Sequence, residues 1–231
     1  DSVCGALRAL GCGADPWHRF ALAAMLRAGL PELACAVLEA HPTRVEALAT
    51  AALLLWAMAA TQLESSGLAN LVGGVHVATH FDVLAVQNAA AAMKTHPARP
   101  ELQFACCGLL TALASKSDIL RCEVARADGA KLAIDALQRF RTGSVLAAKL
   151  QARALSALAT LVPLAESRRK LEQAGGVGLL CATMNEWADD AESDAIVHLY
   201  GWRALSSLLA PDEVGDAEAV QRLTAPDARL I

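Results

Sequence analysis

Apolar residues recur along the chain at three- and four-residue steps, broken by short polar or Gly/Pro turns. That period predicts helices with buried stripes and not alternating strands. Five segments share a Leu-x-x-apolar core that follows an Ala- or Cys-rich stretch: LRAL from Leu7, LWAM from Leu55, LTAL from Leu110, LSAL from Leu155 and LSSL from Leu205. Their spacings are 48, 55, 45 and 50 residues. A second landmark follows each of the first four by 19 to 22 residues, a glycine that opens an apolar helix, at Gly29, Gly74, Gly129 and Gly176. Leu55 to Leu110 is 55 residues, and so is Gly74 to Gly129. Two features that move together mark a repeated supersecondary unit with loops of variable length.

Each unit reads as three helices. The first is short, as in WHRFALAAMLRA, DILRCEVARA and AESRRKLEQA. A glycine then ends it by taking a left-handed conformation. A second helix leads through a polar turn (His41-Pro42-Thr43, His96-Pro97) into the third, which carries the buried stripe. The fold class expected is all-α, with repeats at about 17–62, 63–116, 117–164 and 165–212, a partial repeat at 1–16 and a tail at 213–231. Composition agrees, because 51 Ala and 37 Leu fill 88 of the 231 positions and both enter helices at little loss. Disorder is excluded by 55% apolar residues and a net charge of only −4.

The unit resembles the armadillo repeat. The resemblance rests on the first-helix ending Glu172-Gln173-Ala174-Gly175-Gly176 and on Ala/Leu-rich third helices such as the one around Leu155. It covers almost the whole chain, to about Ala210, and the separate short first helix favours it over the HEAT repeat. It implies a right-handed α-solenoid whose third helices line a concave groove. Members of that family that grip extended peptides carry Trp and Asn on those helices. The Trp position falls here on Arg8, Trp56, Thr111, Ser156 and Ser206, and the Asn position on Cys12, Ala60, Ser115, Thr160 and Ala210. One Trp and no Asn stand there. An Asn amide pairs with a peptide's backbone donor and acceptor together, so importin-like capture of a basic targeting peptide is not expected. One turn earlier come Cys4, Ala52, Cys107, Ala152 and Trp202. Of these 15 groove positions only Arg8 is charged, which suits a close-packed helix. A phase error of one residue would place them in the core instead.

Candidate chemistry adds little. His76 and His80 share a helix face at a spacing that metal sites use, but no Glu accompanies them, and the expectation is two half-buried histidines at a turn. No nucleophile elbow, dinucleotide loop or phosphate loop occurs, so no catalytic residue, cofactor or metal is expected. The seven cysteines (4, 12, 35, 106, 107, 122 and 181) are odd in number and form no Cys-x-x-Cys pair. They read as reduced core residues of an intracellular, reducing compartment. The 17 uncharged residues between Glu46 and Glu64 reach only the lower edge of spanning length and read as a buried central helix, without a transmembrane span.

Charge is uneven: net −2 over residues 1–115, +6 over 116–170 and −8 over 171–231. With a pI of 5.9 the chain as a whole does not suit nucleic acid. The block Arg168-Arg169-Lys170 is a candidate docking patch for an acidic partner, with RNA and peripheral contact to an anionic lipid surface as alternatives. A chain opening on Asp1 reads as processed or as an excerpt, with residues 1–11 a lone third helix that needs cover. The function expected is a non-enzymatic protein–protein interaction scaffold, a structural or accessory subunit of a larger assembly. The alternative is a regulatory adaptor that binds a peptide or helix transiently in the groove. Partner-binding candidates are Trp56, Trp202, Arg8, Thr111, Ser156, Arg168, Arg169 and Lys170.

Overall fold

The computed structural model describes residues 28–69, 80–141, 144–187 and 191–209. Among these residues all regular structure is helical. In chain order the helices are α1 (Leu30–Ala40), α2 (Val45–Ala69), α3 (His80–Thr95), α4 (Pro100–Lys116), α5 (Asp118–Arg126), α6 (Gly129–Arg139), α7 (Val145–Leu161), α8 (Ala165–Gln173), α9 (Gly176–Glu186) and α10 (Ala191–Leu209). From α5 onward the lengths run 9, 11 and 17 residues, then 9, 11 and 19. The expected junctions near residues 116 and 164 fall between α4 and α5 and between α7 and α8, whereas the one near 62 falls inside α2.

The four long helices pack in series, α2 on α4, α4 on α7 and α7 on α10. Each shorter helix α1, α3, α6 and α9 rests on the long helix that follows it. Leu102, Leu109, Leu113, Leu150, Leu155, Leu158 and Leu161 are fully buried at these contacts, interleaved with Ala52, Ala105, Ala148 and Ala154. The small residues let helix axes approach, and each buried Leu contributes about 1.5–3 kcal/mol of transfer free energy. The helix starts are written locally. Pro31 and Pro100 occupy first-turn positions of α1 and α4, where a missing N–H is harmless. Ser117 and Ser144 cap α5 and α7 by accepting from Leu120 N and Ala147 N, each at 3.2 Å.

The glycines at the helix openings, the four landmarks together with Gly175, divide into two kinds. Gly29 and Gly175 have φ of 73° and 72° and precede α1 and α9, the left-handed role expected. Gly129 and Gly176 are instead the first residues of α6 and α9 and have no left-handed backbone. Close approach requires them: an added Cβ would come 2.8 Å from the carbonyl oxygens of Val124 and Leu171 respectively. The left-handed residue before α6 is Asp128, at φ 68°. Gly74 lies outside the described residues.

Two buried glutamines tie shorter helices to the long helices behind them. Gln103 Nε2 donates to Met93 O at 3.0 Å and His96 O at 3.1 Å, closing the C-terminal end of α3. Gln151 Nε2 donates to Phe140 O at 2.6 Å, just past α6, and its Oε1 accepts from Trp187 Nε1 at 2.6 Å. The two His-Pro turns also meet, with the His96 Nε2–H donating to Pro42 O. No helix among the described residues is long and apolar enough to cross a membrane.

Candidate functional site

The exposed side of the long-helix layer is built around Trp56. Its indole meets Phe104 of α4 edge to face, with ring centroids 5.4 Å apart and planes at 77°. It lies directly over Gly108, where a Cβ would stand 2.6 Å from indole Cδ2. The guanidinium carbon of Arg153, on α7, sits 4.8 Å from the Trp56 ring centroid. A residue of α2 and one of α7 therefore meet across α4 at its one-atom side chain. A cation held over an indole face is attracted by the ring quadrupole, contributing about 0.5–1 kcal/mol at an exposed site.

The expected groove positions distribute around this cluster. Trp56 and Thr111 are half-buried, whereas Ser115 and Ser206 are exposed. Ser156 is 5% exposed, a correction to its expected place in the groove. The line one turn earlier (Ala52, Cys107, Ala152) is core. The hydroxyls of Thr111, Ser115 and Thr160 donate to Cys107 O, Thr111 O and Ser156 O at 2.7, 2.8 and 2.9 Å. Their oxygens keep lone pairs to offer to a ligand. Arg8, Cys4, Cys12 and Ala210 lie outside the described residues.

Trp202 belongs to a second feature. It is 60% exposed on α10, in line with Ile196, Leu199 and Leu209 at 49%, 56% and 66%. Positions 196, 199, 202 and 209 recur at helical steps, so these side chains share one largely apolar stripe, with the exposed Arg203 among them.

The basic block is largely engaged within the chain. Lys170 Nζ sits 2.9 Å from Asp128 Oδ1 and 2.8 Å from Glu166 Oε1. These hydrogen bonds, that to Glu166 foremost, hold the Lys170 ammonium above its ordinary range. Asp128 also receives Lys94 at 3.2 Å. The bond from Lys170, then that from Lys94, keep its carboxyl below the usual carboxylate range. Arg168 is half-buried, and Arg169 is exposed with Nε 3.4 Å from Ala165 O. Arg121 and Arg126 pair within α5 with Asp118 and Glu123. Beside Asp128 a pocket of about 240 Å³ is lined by Lys94, Lys131 and Arg139 against Asp128 and Asp135, so it carries both signs.

His80 is exposed and makes an edge contact with Phe81, while His76 lies outside the described residues. Among the described residues no three His, Cys, Asp or Glu side chains gather closely enough to hold a metal ion. The five cysteines described are all free thiols. Burial pushes Cys35 up to about 11 and Cys107 up to about 12. It raises Cys106 further still. Cys181 is exposed on α9.

Sequence reasoning passed over Phe104, Gly108, Arg153 and the stripe on α10. One signal was available. A glycine in the middle of an apolar helix costs about 1 kcal/mol relative to Ala, so Gly108 within CCGLL points to a close neighbour. No protein-family model, no curated protein and no solved structure matches the chain.

Proposed function

We propose that the chain is a non-enzymatic protein–protein interaction scaffold, an armadillo-type right-handed α-solenoid acting as a structural or accessory subunit of a larger assembly. The observation that carries this reading is the apolar stripe Ile196, Leu199, Trp202 and Leu209 on α10, all close to or above half exposed. Apolar surface gathered on one helix face marks an interaction site, and Trp is among the residue types enriched at binding hot spots. The short–medium–long order of helices from α5 to α10, and the serial packing of the long helices, support the repeat part of the reading. The test is native mass spectrometry of the chain purified from its source, beside a Leu199→Asp/Trp202→Asp variant. A complex that dissociates in the variant, with helicity unchanged, supports the reading. A wild-type chain that runs alone overturns it.

A second reading has its own observation. The Trp56–Arg153 stack over Gly108 is a preformed aromatic and cationic platform, suited to an adaptor that takes a peptide on the long-helix face.

A further inference from the structure

We infer that the face around Trp56 and Arg153 takes an acidic, partly apolar peptide segment of a protein partner; this rests on the second reading above, that the face binds a peptide. The first ground is where charge stands on the four long helices. Residues 47–63, 102–115, 145–161 and 195–209 contain no Asp or Glu, yet they contain Lys149, Arg153 and Arg203. The acids of these helices stand toward their ends: Glu46 and Glu101 in the first turns of α2 and α4, Glu64 toward the C-terminal end of α2, and Glu192 and Asp194 at the start of α10. Between those ends the long helices carry cations and no acidic residue, in a chain whose net charge is −4.

The second ground is geometric. Lys149 and Arg153 lie four residues apart on α7, so they share one face about 5–6 Å apart at Cβ. Lys149 and Arg203 are exposed. Neither Lys149 nor Arg153 forms an ion pair among the described residues. Arg153 is held instead by the Trp56 ring at 4.8 Å, and stacking on a ring leaves the N–H edge of a guanidinium for a carboxylate. Gly108 is what admits this arrangement, since its missing Cβ is where the indole lies.

The third ground is the apolar share of the platform. Trp56 is half-buried and packed against Phe104, so one ligand residue can bury apolar area there while its neighbour pairs with Arg153 or Lys149. Charge-assisted contacts of this kind are the stronger class of hydrogen bond. They also steer association, and weaken as salt shortens the screening length from about 10 Å.

The experiment uses the full chain and four labelled probes in fluorescence anisotropy: alternating Glu-Leu, Gln-Leu and Lys-Leu dodecapeptides, and an oligothymidine matched in charge to the first. The Glu-Leu peptide is expected to bind at least tenfold tighter than the other three and to weaken as salt rises. Arg153→Gln and Lys149→Gln are each expected to weaken it severalfold, while Lys131→Gln on α6 leaves it unchanged. Lys149 is exposed, so its variant serves should Arg153→Gln fail to fold. Equal binding of the Glu-Leu and Gln-Leu peptides overturns the acidic specificity and leaves the peptide-binding reading standing. Failure of all three peptides to bind overturns both. Tighter binding of the oligothymidine overturns the inference in favour of nucleic acid.

Discussion

Asp128 Oδ1 lies 2.9 Å from Lys170 Nζ, and the other oxygen of the same carboxylate lies 3.2 Å from Lys94 Nζ. One residue in the turn between α5 and α6 thus joins α3 to α8. It does so from a left-handed backbone at φ 68°, where α1 and α9 are preceded by Gly29 and Gly175. Asp tolerates this region better than most residues. The ion pairs are what a glycine at the same place would not supply.

Asp128→Asn should separate charge from shape. The lowered pKa of Asp128 means that its carboxylate stabilises the fold above the usual carboxylate range. That contribution is lost as pH falls through the lowered value. Asp128 and Lys94 are well exposed, so each pair contributes only about 0–1 kcal/mol. Urea unfolding at neutral pH should show Asp128→Asn less stable by roughly 1 kcal/mol, with the gap closing in acid. A gap independent of pH would remove the ion pairs as its cause.

Gly108→Ala and Gly178→Ala should have opposite signs. At Gly108 the new methyl would meet the Trp56 ring at 2.6 Å, while at Gly178 nothing lies within 4 Å. Overpacking costs about 1–3 kcal/mol, against a gain of up to about 1 kcal/mol from helix propensity. Gly108→Ala should therefore lower the melting temperature and shift the near-ultraviolet signal of Trp56. Gly178→Ala should be neutral or stabilising. Stabilisation by both would mean that the indole does not occupy the place over Gly108.

Gln151→Leu removes the partner of Phe140 O and Trp187 Nε1 together. An unsatisfied buried polar group costs about 1–3 kcal/mol; both bonds here are half-buried, so the variant should lose stability of about 1 kcal/mol, the lower end of that range. Chemical denaturation monitored by Trp fluorescence measures it. A loss below about 0.5 kcal/mol, the range of ordinary surface substitutions, would contradict the bridging role.

Thiol labelling should rank the cysteines. The thiolate is the reactive form, and burial disfavours it at Cys106 and Cys107. Among the five described cysteines, alkylation of the native chain read by mass spectrometry should modify Cys181 first. Cys106 and Cys107 should react only on denaturation. Rapid native labelling of Cys107 would contradict its burial.

The sequence carried the helices well, because Ala/Leu runs and their polar breaks encode elements within a few residues. DILRCEVARA and AESRRKLEQA are α5 and α8 almost residue for residue. The contacts between helices were read less well. A 3.6-residue period fixes which face of one helix is buried, but not which residue of the next helix stands opposite it. Arg153 reaching Trp56 across α4 depends on that register, and so does the burial of Ser156. Lys170 looked like part of an open basic block partly because Asp128, one of its two partners, is 42 residues away in sequence.

The exposed stripe on α10 is the centre of the proposed scaffold role, and photo-cross-linking in the native source reads it most directly. A photoreactive amino acid at position 199 or 202 should yield one discrete adduct with a second polypeptide. The same probe at Val145 or Ile119, which are also exposed apolar positions at 63% and 42%, should not. No adduct from 199 and 202, or the same products from all four positions, would contradict an interface on α10.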